Sequence, residues 1–257
     1  MPLSIDEGDA LENGPVIVCR REEAIGRLPE LCSEAGFKVK KHRVALVKPN
    51  ICGMYHPSTE LLSSVIQYLK PYASEMVVGE TESMMHRPRD QFERLGVMDV
   101  LERYRGKVKA LDLSEDRAIR VRVPNPHALA ELELPEMVLK SDILVNLPKV
   151  GTHSTTRLTN ALKNLFGLLP QKRKYSIYHP LGMDEVIADI AQVVKTNLNV
   201  VDAEGKVILG TNALHVDIAA CRLVNLDPIE VRHLRLVSED QGEELEETVR
   251  TLQIKEL

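Results

Sequence analysis

The sequence has no tryptophan, only four cysteines, and no apolar run near the length of about 18 residues that a membrane-spanning helix needs. The cysteines are Cys19, Cys32, Cys52 and Cys221, and no two of them form a Cys-x-x-Cys pair. That spacing excludes a local zinc finger or iron–sulfur motif. Acidic residues precede the first lysine or arginine, unlike a secretory signal, so we expect a cytoplasmic protein with no membrane partner.

An excess of positive charge over the whole chain is also missing. The sequence has 33 Lys and Arg residues against 38 Asp and Glu residues, which gives a net charge of −5. Proteins that bind nucleic acid backbones are usually basic, so the charge argues against a nucleic acid partner. RNA binding through the basic string at residues 172–174 is the least favoured alternative, because Tyr175 and Tyr178 are the only nearby aromatic pair.

Short apolar strands alternate with helical stretches through most of the sequence. Typical examples are a strand over residues 43–50, a helix from a capping Ser58 to about Leu69, and a strand over residues 142–147. This rhythm predicts an α/β fold, Rossmann-like, with a mostly parallel sheet and helices on both faces. Ligands of such sheets bind at the carboxyl ends of the strands.

The length of 257 residues fits one large α/β domain. We expect this domain to cover residues 15–238. A loose acidic N-terminus over residues 1–14 is predicted to precede it, and an acidic C-terminal tail over residues 239–257 is predicted to follow it.

One long segment reverses the charge of the chain. Residues 143–183 contain no Asp or Glu, yet they include six basic residues: Lys149, Arg157, Lys163, Lys172, Arg173 and Lys174. Solvated faces usually mix charges of both signs. The local excess therefore predicts an anion-binding region.

The same segment begins with a strand, a hydroxyl-rich loop and a predicted helix over residues 156–169. Free backbone N–H groups at a helix start bind phosphates and carboxylates. The P-loop and dinucleotide motifs are both absent, so neither class of nucleotide site is indicated. Lys163 lies between two asparagines and has no acidic partner on its own helix, which makes it a candidate for the anion site. The predicted substrate ligands of this segment are Lys149, Thr152, Ser154, Thr155, Asn160 and Asn164.

Charged and amide side chains also follow the other apolar strands. Lys48 and Asn50 end the second strand, and in a parallel sheet they would share the carboxyl edge with Lys149, so both join the predicted substrate ligands. Glu80 ends the third strand, and Asp202 with Glu204 ends a later one. These carboxylates could hold a hard divalent cation, or they could be ordinary loop acids.

Several short strings match a known pattern. They are Val47-Lys48-Pro49-Asn50, Leu147-Pro148-Lys149 with His153, and Lys163-Asn164-Leu165-Phe166-Gly167, with further matches at Arg173, His179, Val201-Asp202, Glu204-Gly205 and Asp217. Together they resemble the family called domain of unknown function 362, over roughly Val44 to Leu234. Some members of that family are iron–sulfur proteins with a four-cysteine run that this sequence lacks. The family is also distantly similar to the catalytic domain of nickel-pincer lactate racemase, which uses histidines as proton shuttles.

The resemblance places His153, Lys163 and His179 in matching strings, and all three lie in the acid-free segment. Our hypothesis is that one of the histidines and Lys163 act as an acid–base pair on a carboxylate-bearing substrate. Arg173, which also matches, would join the substrate ligands. A structural role is the alternative for either histidine.

Two function classes stay open from the sequence. The first is an enzyme that acts on a small anionic molecule, a carboxylate or a phosphate, with a divalent metal or another cofactor as an optional partner. The second is a non-catalytic protein that binds or assembles a metal, a cluster or a cofactor. The sequence assigns no reaction, no particular substrate and no oligomeric state.

Overall fold

The computed structural model describes residues 14–257, so the predicted loose N-terminus lies, apart from Gly14, outside the described residues. Apolar strands and amphipathic helices alternate along this part of the chain, as the sequence pattern predicts. The strands are β1 Val16–Arg20, β2 His42–Pro49, β3 Ala73–Glu80, β4 Val108–Asp112, β5 Ala118–Arg122, β6 Glu131–Pro135, β7 Ile143–Leu147, β8 Gly151–His153, β9 Arg157–Thr159, β10 Leu198–Ala203, β11 Lys206–Gly210 and β12 Ile254–Glu256.

The helices are mostly short. The predicted cap of α2 is present, because the Ser58 hydroxyl oxygen accepts a hydrogen bond from the Leu61 N–H. The α-helices of the described residues are α1 Arg21–Glu34, α2 Thr59–Leu69, α3 Pro88–Arg94, α4 Val97–Glu102, α5 Glu136–Lys140, α6 Ala161–Leu165, α7 Lys174–Tyr178, α8 Met183–Val193, α9 Ala213–Leu223, α10 Arg232–Asp240 and α11 Leu245–Thr251.

Eight of the strands form the central sheet of residues 14–257, in the order β12-β1-β11-β10-β7-β2-β3-β4. Neighbouring strands pair in parallel except where β11 lies between β1 and β10, and β11 is antiparallel to both. β11 therefore runs against all its sheet partners, because it returns from β10 through a tight turn. The prediction of an α/β fold with a mostly parallel sheet is confirmed.

Both faces of this sheet are covered. Side chains of a strand alternate between its faces. Accordingly, Leu46 of β2 packs into one apolar cluster, with α6, α8 and α9, whereas Ala45 and Val47 pack into another with α1 and α2. Strands buried on both faces read as continuous apolar runs, which is why β2 and β7 stand out in the sequence.

Two small ribbons lie outside the central sheet. β5, along which exposed and half-buried side chains alternate, pairs with β6 rather than with the central sheet. β8 pairs with β9 as a hairpin, with Gly151 opposite Thr159. The prediction of a helix over residues 156–169 was therefore wrong at its start, since the hairpin delays the helix until Ala161.

The acidic C-terminal residues belong to the sheet. The predicted boundary after residue 238 falls inside α10, and the segment beyond it forms α11 and β12. β12 pairs in parallel with β1, so residues 239–257 are not a separate tail. In residues 14–257 no helix combines the length and the apolar character needed to cross a membrane.

Candidate functional site

A cavity of about 500 Å³ lies at the carboxyl ends of β2, β3 and β7. The order of the strands changes direction at this point. On one side of β2 the chain continues to β3 and β4, and on its other side lies β7, which comes later in the sequence. Open α/β sheets bind their ligands at such a point. The walls come from the loops after β2 and β3, from the β8–β9 hairpin, and from the segment that joins α6 to α7.

A buried ion pair forms the floor of the cavity. The Lys48 ammonium lies 2.9 Å from a carboxylate oxygen of Glu80, and the two side chains are 1% and 2% exposed. Lys48 also donates to the Asn164 side-chain oxygen at 2.8 Å, and the backbone N–H of Thr81 donates to Glu80. Both charges are compensated, as burial requires.

Gly167 lies directly against this pair. A β-carbon placed on Gly167 would lie 2.6 Å from the Lys48 Nζ atom and 3.1 Å from a Glu80 carboxylate oxygen. The end of the family-like string at residues 163–167 is therefore a glycine for a steric reason: no side chain fits between α6 and the ion pair.

We expect Gly167→Ala to lower the free energy of unfolding by about 1–3 kcal/mol, because Lys48 is buried and held by two acceptors, so it has little room to move. Urea denaturation followed by circular dichroism would measure the loss. Gly26→Ala is the matched control, since nothing lies within 4 Å of its added carbon in α1. Equal stabilities of the two variants would contradict the steric argument.

The start of α6 is already occupied by a carboxylate of the protein itself. Asp217 is fully buried in α9 and accepts hydrogen bonds from the backbone N–H groups of Ala161 and Leu162, at 2.8 and 3.1 Å. Burial raises the pKa of Asp217 to about 7, and the two N–H donors oppose that shift. The predicted anion site at this helix start was thus wrong, because Asp217 fills it.

Lys163 and His153 face the cavity together. Burial lowers the pKa of Lys163 to about 8, and Asp184 opposes that shift. Burial, with the positive charges of Lys163 and His179, lowers the pKa of His153. The lowered pKa favours the neutral form of the His153 ring, whose Nδ1 accepts from the N–H groups of Thr155 and Thr156, at 3.2 and 3.4 Å. The hydrogen of the neutral ring then lies on Nε2, which is a donor.

Lys174 is a second buried lysine of the cavity, and the sequence did not single it out for this site. It is 5% exposed, and its ammonium donates to the Thr81 hydroxyl and to the Leu169 carbonyl. Burial lowers its pKa to about 8. The sequence carries no signal for it, because Lys174 is one of three consecutive basic residues; its burial with Tyr178 on one face of α7 is visible only in the structure.

The predicted substrate and catalytic residues divide into two groups. His179 belongs to neither wall nor floor: it packs behind Tyr175, a wall residue, with ring centroids 4.5 Å apart. Four predicted residues do not line the cavity: Lys149, Thr155, Asn160 and Arg173. Asn160 is the buried residue that directly precedes α6, and Arg173 is exposed at the start of α7. The cavity brings together Asn50, Thr152, His153, Ser154, Lys163 and Asn164, with Lys48 under its floor.

The three carboxylates predicted as metal ligands are not brought together. Glu80 is paired with Lys48, and Asp202 is paired with Arg21 at 2.6 Å. Their strands β3 and β10 are separated by β7 and β2, which is about 14 Å across the sheet. Glu204 is exposed in the turn between β10 and β11, and no group of three metal-binding side chains converges anywhere in residues 14–257.

The charge of the acid-free segment is also more dispersed than predicted. Arg157 pairs with Glu230 at 2.7 Å, and Lys172 and Arg173 are exposed. Lys163 and Lys174 are the two of the six basic residues that line the cavity. Among the described residues that line it, Glu80 is the only carboxylate, and Lys48 already neutralises it.

Sequence comparisons identify a family and a curated relative. The model of a family described as a domain of unknown function, DUF362, matches residues 45–222. A thylakoid-associated protein of Synechocystis is 25% identical in an alignment of 180 positions, which covers 65% of this chain and 53% of that protein. The chain therefore spans about half the length of this curated relative.

Two solved structures are similar. The lactate racemase apoprotein of Thermoanaerobacterium thermosaccharolyticum aligns with a TM-score of 0.55 and 12% identity, over 82% of this chain and 57% of that one. A protein of Thermotoga maritima aligns with a TM-score of 0.46 and 15% identity, over 80% of this chain and 59% of that one. At 12% identity, the likeness to the racemase establishes a common fold.

Proposed function

Because this chain belongs to the DUF362 family, whose description assigns no activity, we propose a function from the site itself: an enzyme that acts on a small molecule bearing a carboxylate or a phosphate. One observation carries the proposal. Lys163 and Lys174 line the same cavity, and Glu80, the single carboxylate that lines it within residues 14–257, is already paired with Lys48. Two ammonium groups without an acidic partner of their own favour an anionic ligand.

The same groups support proton transfer. With a pKa near 8, Lys163 is neutral in a useful fraction of molecules at mildly basic pH, and in that form it accepts a proton. The neutral His153 ring donates a hydrogen bond from Nε2 to the substrate oxygen on which negative charge develops, and it keeps its proton. When Lys163 is protonated, both ammonium groups hold the anionic group of the substrate; in the fraction of molecules in which Lys163 is neutral and acts as the base, Lys174 alone holds it. This assignment keeps Lys163 and His153 as the catalytic pair and leaves out His179, which does not line the cavity.

We expect Lys163→Met to weaken the binding of acetate and inorganic phosphate at least tenfold, because it removes one of the two ammonium groups, while the melting temperature of the free protein does not fall. Calorimetry and the rise of the melting temperature with ligand concentration would measure the affinity. Lys172→Met is the matched control, because Lys172 is basic, lies in the same segment and is exposed outside the cavity. A Lys163→Met protein that binds both anions as tightly as the unchanged protein does would contradict the proposal.

The alternative is a non-catalytic binding protein, and the same preparation separates the two. An enzyme of the proposed kind exchanges a carbon-bound hydrogen beside the carboxylate of a bound acid for deuterium in ²H₂O, whereas a binding protein leaves it in place. Elemental and mass analysis of the purified protein would identify any metal or cofactor.

The cytoplasmic location stays a prediction. The word thylakoid-associated in the name of the Synechocystis relative describes that relative and not this chain.

A further inference from the structure

The mouth of the cavity is apolar. Met54, Met84 and Met85 are 80%, 70% and 68% exposed, and all three line the cavity. Tyr175 is also exposed on the same rim. Ten large apolar side chains are strongly exposed in residues 14–257, and four of them surround this one opening. Scattered exposed apolar residues are ordinary, but a cluster around a cavity indicates that something apolar binds there.

The polar groups lie at the opposite end. Lys174 and Glu80 are almost fully buried, so the charged floor lies beneath the methionine rim. Phe166 and Tyr55 line the walls between the two ends, and the Tyr55 ring lies over Gly151, where an added β-carbon would come within 2.5 Å of it. The cavity therefore has one cationic end and one apolar end.

The volume is too large for a small acid alone. At about 30 Å³ per water molecule, 500 Å³ equals the volume of roughly 17 waters. A three-carbon acid on the lysines would leave most of this space, and all of the rim, without a partner. Methionine side chains are unbranched and polarizable, so they adapt to aliphatic chains and to rings of different shapes.

We propose that the ligand is an amphiphile: an anionic head, carboxylate or phosphate, binds at Lys163 and Lys174, and an apolar chain of about six or more carbons lies against Met54, Met84 and Met85. The head-group half of this inference rests on the proposed function. The prediction of an apolar chain depends only on the methionine rim. It specifies the substrate class further than the charged groups of the floor do.

A series of straight-chain carboxylates tests the inference, with acetate, hexanoate and decanoate titrated by calorimetry below the concentrations at which they aggregate. Burial of one methylene contributes enough free energy to raise affinity about three- to fourfold. We expect affinity to rise by about this factor per methylene from acetate to hexanoate and to rise further to decanoate. Hexyl phosphate against inorganic phosphate repeats the comparison with the other head group.

The double variant Met84→Ser, Met85→Ser should remove this dependence, so that decanoate binds little better than acetate. Met98→Ser is the matched control, because Met98 is an exposed methionine on α4 that does not line the cavity. Circular dichroism would verify that each variant is folded. A dependence on chain length that survives the double variant would overturn the assignment of the rim.

Failure of this inference differs from failure of the proposed function. Binding that needs Lys163 but is equal for acetate and decanoate would overturn the amphiphile and leave the anion site standing. Binding of decanoate that is indifferent to Lys163→Met would overturn both, since the head group would then have no cationic partner. Affinity that rises with chain length and needs both Lys163 and the methionine pair is the result we expect.

Discussion

Replacing Lys48 by Met should lower the free energy of unfolding by about 3–5 kcal/mol, the largest effect on stability that we expect from one side chain of the site. The reason is the group left behind. Glu80 is 2% exposed, and without Lys48 its carboxylate would be buried with only backbone N–H donors for partners. A buried charge that loses its counter-ion is far more costly than a lost surface contact.

Urea denaturation at pH 7 would measure this loss of stability, and two further variants serve as controls. Lys109→Met removes a lysine that pairs with Glu75 at the exposed edge of β3 and β4, and it should cost about 0–1 kcal/mol. Lys48→Met combined with Glu80→Met removes both charges and should recover part of the loss. A Lys48→Met protein as stable as Lys109→Met would show that the cavity floor is not held by the ion pair.

Affinity for a carboxylate should collapse at alkaline pH, by up to about 100-fold per pH unit once both lysines titrate. Burial lowers the pKa values of Lys163 and Lys174 to about 8, so the free protein loses these protons about two pH units before an exposed lysine does. The anion binds the protonated form. Affinity is therefore level below pH 7 and falls as the pH rises through 8, until the pKa values of the complex are reached.

Titration of hexanoate between pH 6.5 and 10 would measure this slope, since hexanoate itself stays ionised throughout. If each ammonium is required, Lys174→Met should halve the slope to about tenfold per pH unit, with Lys163 as the remaining group. Affinity that is unchanged up to pH 10 would contradict the prediction: either the lysines do not titrate as their burial implies, or the anion is held by other groups.

The location of the site could be predicted from the sequence because it depends on strand direction. Lys48 and Asn50 lie at the end of β2 and Glu80 is the last residue of β3, and parallel strands present such residues at a common edge. Lys163 could be predicted from its lack of a local acidic partner. Both arguments use short stretches of sequence, in which periodicity and strand ends are visible.

The parts that could not be predicted depend on partners far along the chain. Asp217 fills the helix start at Ala161, 56 residues away, so the expected anion site there was taken by the protein itself. Asp202 was a fair candidate metal ligand until the fold placed Arg21 against it. The tertiary structure decides whether a carboxylate at a strand end is paired with a cation. A short stretch of sequence does not show which distant residue will pair with it.

The pairing of β1 has a consequence for how the chain is made. β1 is the first described strand, but its sheet partners are β11 and β12, and Ile17 pairs with Leu209, 192 residues later. At about 5–20 residues per second, a ribosome needs roughly 10–40 s to add that stretch. During this time both pairing edges of a Val-Ile-Val-Cys-Arg strand stay open in a nascent chain, where unpaired apolar strands are prone to aggregate. Of the strands in residues 14–257, β1 is thus the first to be synthesised and among the last to be paired.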